Sequence, residues 1–184
     1  MLALNGGRPE QLTLRTFLTN FIAFREEVVA RRTAFELRKA RERSHILCGL
    51  AVTVSNVDEI VATIRASSDA AEAREKLMQR SWPANEIREY IALIDDPTHK
   101  INDDGSYNLS EAQVRAILEL RLQRLTQIGV KEVTDELEAL SFKIKDYLEI
   151  LASRSKIMSI IAGELNEVKA VSYTHLTLPT KVTV

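Results

Sequence analysis

The sequence predicts an all-α fold: a long antiparallel two-helix coiled coil capped by a small helical globular knob, with a short N-terminal β-hairpin remnant. Three observations predict it. Two heptad runs lie far apart in the chain. Only four prolines and six glycines punctuate 184 residues, a sparseness that suits long helices. Between the runs, caps and turn residues follow one another closely and mark a series of short helices.

In the later run, Leu137, Leu140, Ile144, Tyr147, Leu151, Met158, Ile161, Leu165 and Val168 fall at alternating steps of three and four, with one break at Arg154. In the earlier run, Leu14, Phe17, Phe21, Phe24, Val28 and Phe35 follow the same rule with one missed position at Arg31, and the helical pattern continues through Ile46 and Leu50. This spacing makes a seam rather than a general apolar face. Helices of this extent are each about 60 Å long at 1.5 Å per residue, and two seams in one chain can close on each other. The expected divisions are 1–12 for the hairpin remnant, 13–54 for the outgoing helix, 55–130 for the knob, 131–170 for the returning helix and 171–184 for a tail.

The N-terminal segment reads as the last hairpin of something larger, with a turn at Asn5-Gly6-Gly7 and a Pro9 that blocks regular pairing. From Arg31 to Arg43 the outgoing helix carries six basic residues, Arg31, Arg32, Arg38, Lys39, Arg41 and Arg43, against Glu36 and Glu42. From Lys131 to Glu149 the returning helix has six acids against three lysines. Antiparallel pairing sets these stretches side by side as complementary flanks. The alternative is a DNA-facing basic patch at Arg31, Arg32, Arg38 and Lys39.

Ser55-Asn56-Val57-Asp58-Glu59 opens a new helix with Ser or Asn as its cap. Two further helices are expected at about Asp69 to Arg80 and about Pro83 to Asp95, with Pro83 at a first helical position. Asn102-Asp103-Asp104-Gly105 is a turn. Ser110-Glu111-Ala112-Gln113 has the pattern of a capping box. The helix it starts carries Val114, Ile117, Leu118, Arg121, Leu122 and Leu125, with Leu120 on its other side. That surplus of apolar surface asks for a partner, and a second copy of the same knob is the simplest one. From Val171 the heptad stops, and the Thr-rich, β-type residues that follow read as a non-native tail.

A net charge of −1 gives no general pull toward nucleic acid or membrane. One cysteine, Cys48, excludes an internal disulfide and suits a reducing, cytoplasmic setting. No apolar run approaches the length of a membrane span. His45 and Cys48 are three apart on a helix, but two ligands do not make a zinc site. Asp95-Asp96 and Asp103-Asp104 flank a Pro or Gly turn, where Asp is favoured for its bonds to the backbone. No phosphate-cradling loop or nucleophile and base arrangement is present, so no catalytic, cofactor or metal residue is assigned.

Phe24 to Leu47, reading FREEVVARRTAFELRKARERSHIL, closely resembles the outgoing coiled-coil helix of the family of bacterial DNA gyrase A subunits. Leu109 to Thr126, LSEAQVRAILELRLQRLT, is similar to that family's exit-gate helix. The resemblance covers about residues 1 to 170; the sister subunit of topoisomerase IV shares the architecture. It implies an internal fragment of a type IIA topoisomerase: the end of the tower domain, the coiled-coil arm and the C-gate, with Ile117, Leu118, Arg121, Leu122 and Leu125 at the dimer contact. It also implies a second copy, the B subunit of gyrase in an A2B2 complex and duplex DNA as partners, with no membrane. ATP and Mg²⁺ belong to the parent complex and no cofactor to this fragment. In that family the cleaving tyrosine follows an arginine. Here the tyrosines follow Glu89, Ser106, Asp146 and Ser172, so the fragment is expected to be inactive alone. Cys48 departs from the acidic residue expected after His45-Ile46-Leu47. Heptads alone also allow a non-catalytic coiled-coil dimerisation protein.

Overall fold

A computed structural model describes residues 2–84, 88, 90, 91, 102, 105–120 and 130–176. The elements are β1 (Leu2–Asn5), β2 (Arg8–Gln11), α1 (Leu14–Ser55), α2 (Val57–Arg65), α3 (Ala70–Gln79), β3 (Ser81–Pro83), β4 (Ser106–Asn108), α4 (Glu111–Glu119), α5 (Val130–Ala152) and α6 (Arg154–Leu176). The all-α expectation holds, since the described strands are two short pairs. The chain divides into two compact units, Met1–Glu36 with Tyr147–Val184, and Leu37–Asp146.

In the first unit, β1 and β2 pair antiparallel from Leu2 opposite Gln11 to Asn5 opposite Arg8. Gly6 and Gly7 hold φ of 57° and 81°, the two positive values that a tight hairpin turn requires. Pro9 does not interrupt the pairing and sits opposite Leu4. A two-stranded ribbon consists only of edges, where proline is tolerated. Thr13 starts α1 by accepting from the Thr16 N–H at 3.2 Å.

The expected seam is displaced on α1. Phe17, Phe21, Phe24 and Phe35 are exposed, as is Leu14, while Val29 is fully buried and Thr33 nearly so. Arg25, Val29 and Arg32 follow one another at helical spacing along one side of α1, and Arg25 and Arg32 both reach Glu164 of α6. Val29 and Thr33 lie inward on the side that carries this pairing, and the bulky aromatic stripe lies outside it. On α6 the expected Ile161 is buried, whereas Met158, Leu165 and Val168 are exposed. The returning helix also breaks at Ser153, one residue from the heptad break at Arg154. Helix α6 then continues to Leu176, past residue 170 where a β-type tail was expected; residues 177–184 lie outside the described residues.

In the second unit one core joins Leu47, Cys48, Ala51 and Val52 of α1 to Val133 and Leu137 of α5, with Ile60, Leu77, Trp82, Tyr107, Val114 and Ile117 between and beside them. The end of α1 thus shares a core with the start of α5, the arrangement antiparallel pairing demands. Arg43 of α1 meets Glu136 of α5 at 2.9 Å, realising the expected basic-to-acidic match at that point.

Two local expectations are corrected. Asn56 stands at the N-cap of α2 as expected but makes no side-chain cap bond; its amide reaches back to the Val52 carbonyl at 2.8 Å. Pro83 is not a first helical residue but ends β3, which pairs with β4 so that Trp82 faces Tyr107. The strand wins because Trp82 is buried, and its indole N–H donates to the Leu77 carbonyl at 3.1 Å. Of the helix expected as far as Asp95, only residues 88, 90 and 91 are described beyond Ala84, and these are helical. At the expected turn, the Gly105 N–H donates to the Asn102 carbonyl at 2.9 Å with φ of 78°.

Candidate gate helix

Helix α4 begins with the expected capping box. Ser110 Oγ accepts from the Gln113 N–H at 3.2 Å and Gln113 Oε1 accepts from the Ser110 N–H at 2.9 Å. Gln113 does more than cap. It is fully buried, its Nε2 donates to the His45 carbonyl on α1 at 2.7 Å, and it also bonds the Tyr107 hydroxyl at 2.9 Å. Ser110 Oγ lies 2.7 Å from His45 Nε2. A buried amide with all these partners fixes one orientation of α4 on α1, because any other leaves polar groups unpaired in a low-dielectric interior.

The close approach depends on Gly49. A Cβ there would lie 2.7 Å from the Gln113 Cβ and Cγ. Beyond the cap, Val114 and Ile117 enter the core at 0% exposure, and Leu118 and Leu120 pack against it only partly buried. Arg74 of α3 meets Glu111 of α4 at 3.1 Å. They line an open groove of about 480 Å³ with Ala71, Glu75, Met78 and Gln79.

The predicted contact residues therefore separate. Ile117 packs within its own chain and supports the helix rather than offering its side chain to a partner. Leu118 keeps part of its surface outward. The helix expected to carry the contact residues as far as Leu125 instead ends at Glu119, where Leu120 is extended, and Arg121, Leu122 and Leu125 lie outside the described residues. Among the predicted basic patch, Arg31 pairs with Glu27 at 3.6 Å and Arg32 with Glu164 at 2.5 Å. Arg38 and Lys39 are exposed. Glu164, held by Arg32 and then Arg25, has its carboxyl below the usual range.

Burial pushes the Cys48 thiol up to about 12, so it behaves as a small core hydrophobe. The described residues hold no group of three or more His, Cys, Asp or Glu placed to bind a metal, and no single helix among them is long and apolar enough to cross a membrane. Sequence reasoning missed Gly49, whose signal was its place in mid-helix where an alanine is intrinsically better. It credited Gln113 with its cap and not with the bridge to α1.

The family model for the A subunit of DNA gyrase/topoisomerase IV matches residues 1–166. The chain is 44% identical over 170 residues to the DNA gyrase A subunit of Granulibacter bethesdensis, covering 92% of this chain and 18% of that protein. It is 47% identical over 175 residues to the DNA gyrase A subunit of Haemophilus influenzae, covering 92% and 20%. The corresponding protein of Rickettsia bellii is 43% identical over 169 residues, covering 92% and 19%. The chain thus spans about a fifth of the length of these curated relatives. On these matches, the chain belongs to the family of DNA gyrase and topoisomerase IV A subunits.

Proposed function

We propose that this chain supplies the coiled-coil arm and the exit gate of a type IIA DNA topoisomerase, most specifically the A subunit of DNA gyrase. In this reading 1–12 end the tower domain, 13–54 and 131–170 form the arm, 55–130 form the dimerising C-gate and 171–184 are a non-native tail. The gate contact is to a second copy at Ile117, Leu118, Arg121, Leu122 and Leu125, of which Ile117 is buried in its own chain. The parent A2B2 complex, with the B subunit of gyrase, ATP and Mg²⁺, carries out strand passage and supercoiling of duplex DNA in the cytoplasm. The arm and gate on their own cut nothing, since no tyrosine in the chain follows an arginine.

The observation that supports this reading best is the seating of α4. A gate must open and reclose in one register, so its helix needs a rigid mount and a modest outward apolar patch. The Gly49–Gln113 contact and the bridge to His45 provide the mount. Leu118, half-buried, begins the patch. Each fully buried side chain of this kind contributes about 1.5–3 kcal/mol, so a few give a closed but reversible contact.

A chimera tests the reading. A gyrase A subunit whose arm and gate are replaced by residues 13–170 of this chain, mixed with the B subunit of gyrase and ATP, is expected to supercoil relaxed plasmid. A chimera that still cleaves DNA yet passes no strand contradicts it.

A further inference from the structure

Helix α1 runs unbroken from Leu14 to Ser55, whereas the returning segment is jointed at Ser153. Ile150 to Lys156 contains neither proline nor glycine, so the usual breakers of a helix are absent. The serine itself makes the joint. Its N–H closes the last turn of α5 on the Ile150 carbonyl at 3.3 Å. Its carbonyl then accepts the first bonds of α6, from Lys156 N at 3.0 Å and Ile157 N at 3.2 Å. Its Oγ lies 3.5 Å from the Lys156 N–H, the position of an N-cap.

Apolar burial does little to hold this joint. From Tyr147 to Ile160 no side chain is buried, and Ile161 is the first that is. Charge takes its place. Arg154, the residue after the break, donates to both carboxylate oxygens of Glu26 on α1, from Nε at 3.2 and 3.3 Å and from Nη2 at 2.9 Å. Lys156 of α6 pairs with Glu149 of α5 across the break. Glu26 raises the guanidinium pKa of Arg154 and Lys156 lowers that of Glu149, in keeping with both contacts.

We propose that Ser153 is a hinge in the returning segment, latched shut by the Glu26–Arg154 ion pair, so that ionic strength governs its opening. The Arg154 side chain is 79% exposed and that of Glu26 22%, so salt reaches the pair from the arginine side, and the screening length falls from about 10 Å at 0.1 M to about 3 Å at 1 M. Apolar burial, which salt does not screen, secures the segment again at Ile161. The hinge stands on these contacts alone. Its use, letting the arm yield while a gate opens, rests on the function proposed above.

Hydrogen exchange on the 184-residue chain tests the hinge. Raising salt from about 0.05 to about 0.5 M is expected to speed exchange at amides 153–157 about two- to fivefold, the range an exposed pair supports. Amides of Leu137–Ile144, under the buried seam, serve as the reference and are expected to change less. Arg154→Gln and Glu26→Gln are each expected to give the faster exchange at low salt and to reduce the salt response to the part that the Glu149–Lys156 pair carries. The double variant is expected to go no further than either single one. Exchange at 153–157 that ignores salt, or single variants whose effects add, overturns the latch. A chain that dimerises without a salt response at the joint keeps the gate and loses the hinge, and a monomer with the salt response does the reverse.

Discussion

Gly49 and Gln113 occupy space that one methyl group would close, since a Cβ on Gly49 falls 2.7 Å from the Cβ of Gln113. Helix propensity alone favours Gly49→Ala by about 1 kcal/mol. Overpacking a buried contact costs about 1–3 kcal/mol, and the atoms in the way are Cβ and Cγ of a side chain tied at its far end, so they have little room to give. Gly49→Ala is therefore expected to lower the urea midpoint, and a raised midpoint would show that α4 can shift on α1 at little cost.

Gln113→Ala removes the bridge to α1 at the His45 carbonyl and leaves the Ser110 N–H without the partner that Gln113 now gives it. Stranding buried polar groups costs about 1–3 kcal/mol each. The same unfolding titration reads the loss, which is expected to exceed that of Glu111→Ala, a substitution at an exposed residue of the same turn.

Trp82 is the chain's one tryptophan. It is fully buried, with the Arg80 guanidinium 4.7 Å from its ring centroid. Its emission is expected to be blue-shifted and poorly quenched by iodide in the folded chain, moving to the red in one step with loss of helix. A ready quench without unfolding would contradict the β3–β4 pairing.

The Glu164 carboxyl is held below its ordinary pKa of 4.5 by Arg32 and Arg25. The charged form is favoured in the folded state, so the stabilisation is fully present above 4.5 and is lost as pH falls through the folded value. Glu164→Gln is expected to melt below the unaltered chain at neutral pH, with the gap closing well under pH 4.5. A gap independent of pH would mean that the two arginines do not act through charge.

Much of the helical framework was legible in the residues. The capping box at Ser110 and Gln113, the start of α3 after Asp69, and the inward places of Leu137, Ile144 and Ile161 follow from local rules that tertiary packing had no reason to override. The face of α1 was not legible. Phe17, Phe21 and Phe24 make the more conspicuous stripe, whereas the side turned inward, at Val29 and Thr33, is the one whose Arg25 and Arg32 meet Glu164, far along the chain. Pro83 misled for a similar reason, because its strand is fixed by Trp82 meeting Tyr107 across a long stretch of sequence. At the gate, Ile117 and Leu118 look equivalent as apolar residues, and which one the core consumes depends on how Gln113 seats the helix.

Analytical ultracentrifugation of the intact chain tests the gate most directly. The unaltered chain is expected to sediment as a dimer, and Leu118→Glu with Leu122→Glu as a monomer of the same helix content by circular dichroism. A dimer that survives both glutamates, or an unaltered chain that stays monomeric at high concentration, would contradict it.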